Sequence, residues 1–264
     1  MLNSLRKRLM LPLLLAGASL AHADMAQQVV DIGTRPGITQ RMLVIAPPQP
    51  RAAVILLAGG HGGLQLGADG TPAWGKGNFL VRARQLFAAQ GFLVVVPDAP
   101  SDRQSPPYLS GFRQRPEHAE DIAGTIAWTR RQAAVPVWLM GTSRGTQSAA
   151  YVATTLGTAA GPDGLVLSST ILTDDNSRPV PAMPLGALAM PVLVVHHEQD
   201  GCRLCAFSDM PQLMAALPPA PRTQLLTFTG GINRGDPCNA QAHHGYNGLD
   251  AEVVAQTSKW MLAH

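Results

Sequence analysis

The sequence predicts an α/β fold, a mostly parallel sheet covered by helices on both faces, with little or no lid domain. Three observations predict it. Unbroken apolar runs such as Ala52–Ala58 and Phe92–Val96 suit strands buried on both faces, which parallel sheets require. Helix-length segments alternate with these runs, the pattern of right-handed βαβ crossovers. Only about twenty residues separate the run ending at Ser168 from Pro191, too few for a large lid.

The elements follow in order. Gln27–Ile32 and Arg41–Ala46 read as an opening hairpin with Gly37 in its turn. After the Ala52–Ala58 strand, Phe79 to Gln90 has helical spacing and stops at Gly91. Phe92–Val96 is the next strand, and the Pro-, Ser- and Arg-rich stretch from Ser101 to Pro116 is a loop. Glu117 to Gln132 makes a helix and Val135–Met140 a strand. Gly164–Ser168 and Pro191–His196 are further strands, then Ala206 to Leu217 a helix. Thr223–Phe228 closes the sheet and Asp250 to Leu262 the chain. No repeat or internal boundary is visible, so residues 24–264 are expected to form one catalytic domain.

Residues 1–23 are read as a signal peptide. Arg6-Lys7-Arg8 is a basic n-region, Leu9 to Leu20 a short apolar segment, and Ala21-His22-Ala23 a small-x-small cleavage pattern. No later run approaches the roughly 18 apolar residues of a membrane span. The expected location is therefore periplasmic or secreted, with no stable span once the segment is cleaved. Cleavage takes Lys+Arg from 20 to 17, against 17 Asp+Glu. A mature formal charge of zero without basic runs argues against a nucleic-acid partner. The chain is 46% hydrophobic and only 14% charged, enough apolar material for a large core and unlike a disordered chain.

The stretch with the most chemistry is Gly141-Thr142-Ser143-Arg144-Gly145, between the apolar run and the small-residue segment Thr146–Ala153. Strand, Gly-x-Ser-x-Gly turn and helix make a nucleophile elbow, in which a strained serine projects from the sheet and the glycines avoid collisions. A serine hydroxyl needs a base, an orienting acid and an oxyanion site. The architecture orders these Ser, acid, His along the chain. The acid falls in His197-Glu198-Gln199-Asp200-Gly201-Cys202; Asp200 is preferred because Gly201 permits the turn. Glu198 is the alternative there, and Asp174 or Asp175 after the preceding strand. His196 and His197 form a pair belonging to this acid loop.

The base comes late, in Ala242-His243-His244-Gly245-Tyr246. His244 is preferred, with Gly245 leaving room for close approach to the serine, and His243 is the fallback. Backbone N–H groups for an oxyanion are expected from Arg144 and from Gly59-Gly60-His61-Gly62-Gly63, at His61 or Gly62. That loop lacks the full dinucleotide fingerprint and the Gly-Lys-Ser/Thr of a phosphate loop. No cofactor is expected.

Together the elbow, the glycine loop, the acid and the histidine resemble the α/β-hydrolase superfamily over nearly all of the chain from Arg41 onward. The sequence looks most similar to small exported hydrolases of the dienelactone-hydrolase and lipase/esterase type, whose final motif is often His-Gly-aromatic. The resemblance implies Ser143 as nucleophile, Asp200 as acid and His244 as base. Two departures stand out: Gly-Gly-His-Gly-Gly replaces a plain His-Gly-Gly-Gly, and a bulky cation follows the serine.

The Arg144 side chain either recognises an anionic substrate group or, the preferred reading, pairs with a buried acid such as Asp98, Glu117 or Asp121. Three cysteines in an exported chain suggest one disulfide, from Cys202 or alternatively Cys205 to Cys238. Cys202-x-x-Cys205 has no second half to make a zinc knuckle, so no metal site is expected. The function expected is hydrolysis of small-molecule or lipid-like carboxylic esters through an acyl-enzyme. A peptidase or amidase with the same triad, and a non-catalytic binding protein on this fold, are the alternatives. No feature selects the acyl group, the alcohol or an oligomeric state.

Overall fold

The computed structural model describes residues 24–264; the expected signal segment, residues 1–23, lies outside them. Eight strands form one sheet: β1 (Gln27–Arg35), β2 (Ile38–Ile45), β3 (Ala52–Leu57), β4 (Phe92–Pro97), β5 (Val137–Thr142), β6 (Gly164–Ser168), β7 (Val192–His197) and β8 (Thr223–Phe228). The helices are α1 (Phe79–Arg82), α2 (Arg84–Ala89), α3 (Pro116–Gln132), α4 (Arg144–Ala160), α5 (Met210–Ala216) and α6 (Asp250–Met261). Strand order is β1-β2-β4-β3-β5-β6-β7-β8. The β1–β2 and β2–β4 pairs are antiparallel and all pairs from β4–β3 to β7–β8 are parallel.

The unbroken apolar runs are explained by two cores, one on each face. On β3, Ala53, Ile55 and Leu57 join the cluster beneath α3, α4 and α5. Ala52, Val54 and Leu56 join the opposite cluster beneath α1, α2 and α6. Alternate residues of a strand point to opposite faces, so strands covered on both sides are apolar along their length, and β5, β6 and β7 turn polar only at their carboxyl ends, at Thr142, Ser168, His196 and His197.

Three local differences from the sequence reading have physical causes. The hairpin runs further than expected: β1 reaches Arg35 and pairs with Ile38 across Pro36-Gly37, with Gly37 at φ +72°. The expected Phe79–Gln90 helix breaks at Ala83, where the Arg84 guanidinium takes the Val81 carbonyl and Leu86 N–H bonds Ala83 O. The expected helix from Ala206 opens as a 3₁₀ turn at Phe207–Asp209 and becomes α-helical at Met210. Pro211 sets that start, since its missing N–H is harmless only in a first turn.

Candidate active site

Parallel strands deliver their carboxyl ends to one edge, and the elbow stands there between β5 and α4. Ser143 has φ +52° and ψ −129°, a left-handed backbone held by its N–H bond to Ser168 O (3.0 Å). A Cβ at Gly141 would lie 2.3 Å from Gly145 O, and one at Gly145 would lie 2.1 Å from Leu57 O. Both glycines are therefore demanded by backbone packing around the turn.

Asp200 follows β7 and is buried. Its Oδ2 lies 2.8 Å from His244 Nδ1, and its Oδ1 accepts the Cys202 N–H at 2.9 Å. A carboxylate only accepts, so Nδ1 carries the proton and Nε2 presents a lone pair. That Nε2 is buried and has no protein hydrogen-bond partner. Ser143 and His244 line the same cavity of about 350 Å³, with Trp74, Asn78, Phe79 and Gln241. His196 Nε2 donates to Cys205 O at 2.8 Å and stands 3.6 Å from the same Asp200 oxygen.

The alternatives for acid and base lie elsewhere. Glu198 accepts from Thr227 Oγ1 at 2.7 Å on an exposed edge. Asp174 binds Arg144, and Asp175 is exposed. His243 stacks on His197 at 4.3 Å, and its Nδ1 lies against Gln199 O.

Gly245 meets a demand the sequence reading did not name: a Cβ there would meet Ala240 O at 2.2 Å, so the histidine loop's own backbone requires the glycine, which also lines the cavity with Ser143 and His244. Tyr246, absent from the sequence-based site, anchors this loop from below. Its buried hydroxyl donates to Val195 O (2.8 Å) and accepts from Ser168 Oγ and Ser169 N (3.2 Å each). Burial pushes its phenol up. Ser169 Oγ also holds His244 O at 2.7 Å. Only the aromatic at the end of the His-Gly-aromatic run hinted at this role.

The glycine loop folds against the elbow: a Cβ at Gly59 would stand 3.0 Å from Ser143 Cβ. Gly60 (φ +57°) lines the cavity with Ser143. Among the two residues named from sequence, the His61 ring is clamped between Trp74 (3.7 Å) and Tyr108 (4.3 Å), and Gly62 takes φ +75° beside Arg113. Asp98 organises the downstream backbone, its carboxylate accepting N–H groups of Leu64, Gln65, Leu66 and Ala99.

Sequence reasoning missed Arg113, hidden in a stretch read only as loop. It is buried, donates to Ala58 O (3.0 Å), Gly60 O (3.1 Å) and Ser148 Oγ (2.9 Å), and so fixes the glycine loop. Burial, with Arg144's charge, pulls its pKa down to about 9.

The expected partners of Arg144 are corrected. Asp98 is filled by backbone amides, Asp121 binds Arg35 and Thr34, and Glu117 is exposed. Arg144 instead pairs with Asp174, which also accepts from Ser177. Burial alone would raise the Asp174 carboxyl, but bonds from Ser177, Arg144 and the Asn176 amide outweigh it and bring it to about 2.

Cys202 and Cys238 form a disulfide across 36 residues, tying the acid loop to the histidine loop. Cys205 is a buried free thiol, pushed up by burial. Cys202, Cys205 and His244 present ligand-type atoms within 4.8 Å of one another, but the Cys202 sulfur is spent in the bridge and offers no thiolate.

No family model matches the chain, and no curated protein matches it. Solved structures do. A dienelactone hydrolase from Anabaena variabilis superposes with TM-score 0.61 at 13% identity, over 90% of this chain and 99% of that one. A cold-adapted esterase from an Arctic intertidal metagenomic library gives 0.60 at 14%, over 90% and 93%. An α/β serine hydrolase without lid from Xanthomonas campestris gives 0.56 at 15%, over 88% and 94%. Strand order, elbow and these likenesses agree: the chain has the α/β-hydrolase fold.

Proposed function

We propose that this protein is a serine hydrolase of carboxylic esters, working through an acyl-enzyme with Ser143, His244 and Asp200. The observation that carries the reading is the buried Asp200–His244 bond, whose free Nε2 shares a cavity with the elbow serine. His244 Nε2 takes the Ser143 proton as Oγ bonds to the ester carbonyl carbon. The Arg144 N–H and an N–H of the Gly60–Gly62 segment hold the oxyanion. Collapse expels the alcohol, protonated by His244. Water, deprotonated by the same nitrogen, then releases the acid and restores Ser143.

The esterases and the dienelactone hydrolase among the structural neighbours favour an ester over an amide. The substrate class is a small-molecule or lipid-like ester. The Arg6–Arg8 signal pattern, together with a disulfide, supports export to an oxidising compartment.

The test is labelling by a fluorophosphonate probe, alongside hydrolysis of esters of graded chain length. Wild-type protein is expected to label and turn over, and folded Ser143→Ala to do neither. A folded wild-type protein that takes up no label sinks the proposal.

A further inference from the structure

Asn78 precedes α1 and lines the cavity that holds Ser143 and His244. Its side chain has one protein partner among the described residues: Oδ1 caps α1 by accepting the Leu80 N–H at 3.2 Å. That bond fixes which way the amide faces, since a flipped group would aim its own N–H at another donor. A cap uses only an acceptor, and serine or aspartate supplies one as well as asparagine. The part particular to asparagine is the other half of the amide. Nδ2 carries two N–H donors, and among the described residues neither meets a protein acceptor.

Nδ2 borders the nucleophile. A Cβ built on Gly59 would lie 3.0 Å from Ser143 Cβ and 3.3 Å from Asn78 Nδ2, so the serine and the amide face one methyl-sized space that the glycine leaves open. The amide is also held in place. The Asn78 N–H bonds Gly75 O, and the Asn78 carbonyl accepts the Arg82 N–H, each at 2.9 Å. The Arg82 guanidinium in turn binds the carbonyls of Gly77, Ala240 and Gly245 and the Asp250 carboxylate. One arginine thus ties the Asn78 turn to the histidine loop.

We infer that Asn78 is a further catalytic residue: its Nδ2 donates a hydrogen bond to the scissile carbonyl oxygen as that oxygen becomes anionic. It is a side-chain donor beside the Arg144 and Gly60–Gly62 amides, and the inference rests on the ester-hydrolase reading. The amide transfers no proton. It stabilises charge while Ser143 Oγ bonds to the carbonyl carbon, and the bond weakens again when the alcohol leaves. A fixed neutral donor of this kind favours the charged transition state over the uncharged ester.

The test uses Asn78→Asp, which keeps the cap and has no donor, and Asn78→Ser, which keeps the cap on a shorter side chain that withdraws from the serine. The readouts are kcat and KM for a p-nitrophenyl ester, the rate of fluorophosphonate labelling and the midpoint of denaturant unfolding. Both variants are expected to unfold at the wild-type midpoint. Their kcat is expected to fall about 10²–10³-fold, the effect of losing one oxyanion donor, with KM little changed and labelling slowed alongside. Wild-type kcat in Asn78→Asp would make the residue a helix cap alone and overturn the inference. A rise in KM with kcat intact overturns it too, because the amide would then bind ester and transition state alike. Either result leaves the hydrolase reading standing, whereas a wild-type protein that neither labels nor hydrolyses ends both.

Discussion

Asp200 Oδ2 and His244 Nδ1 meet at 2.8 Å although 44 residues separate them in the chain. The bond fixes the histidine tautomer, and with it the direction in which the free lone pair points.

Asp200→Asn replaces an acceptor by a group that can also donate, which permits the wrong tautomer. It is expected to lower kcat about 10³–10⁴-fold with little change in KM or folding. Steady-state kinetics with circular dichroism checks this; a loss below tenfold would show that the acid lies elsewhere.

Gly145→Ala would place a methyl 2.1 Å from the Leu57 carbonyl oxygen, a backbone atom without freedom to rotate away. The expected cost is about 3 kcal/mol or more. Denaturant unfolding reads it directly, and a variant within 1 kcal/mol of wild type, on the order of ordinary surface changes, would refute the packing argument.

The Cys202–Cys238 bridge closes a 36-residue separation and ties two site loops together. Cys238→Ser is expected to cost about 3–4 kcal/mol by loss of the unfolded-state constraint. Because Cys238 also lines the Ser143 cavity, kcat/KM is expected to fall at temperatures where the variant remains folded. Unchanged kinetics in the folded variant would make the bridge purely stabilising.

His118 is buried with neither ring nitrogen bonded, and burial, then the charges of Arg113 and Arg35, pull its pKa to about 3. An unfolded histidine titrates near 6.5. Between those values the unfolded chain binds a proton that the folded state refuses, so stability falls as pH drops from about 6.5 towards 3. His118→Phe, which keeps the contact with Phe112, removes this group's share of the slope. The variant is expected to gain about 1–2 kcal/mol relative to wild type on moving from pH 8 to pH 5. Denaturation at both pH values checks it, and a difference independent of pH would reject the buried neutral ring.

Much of this site was legible because its parts are local. The elbow is five consecutive residues between a strand and a helix, and the structure puts Ser143 at φ +52° where that pattern demands. The acid and histidine candidates were narrowed by their positions at element ends. Asp200 and His244 are preferred in the sequence for the glycines that follow them, and the structure adds that these two bond each other while Glu198 binds Thr227 and His243 stacks on His197. Tyr246 and Arg113 were missed for the opposite reason. Each acts through partners some fifty residues away, the Val195 carbonyl and the Ala58 carbonyl, and backbone acceptors leave no mark in a sequence.

The sequence by itself determined the alternation of buried strands and helices, the elbow and the order of its chemical parts, since these follow from periodicity and backbone sterics over a few residues. Only the tertiary structure decided that Arg144 pairs with Asp174, that Cys202 rather than Cys205 bridges to Cys238, and that Arg113 is buried against the Ala58 and Gly60 carbonyls. Those outcomes depend on distances between loops delivered by different strands, and such distances are set by the packing of the whole sheet.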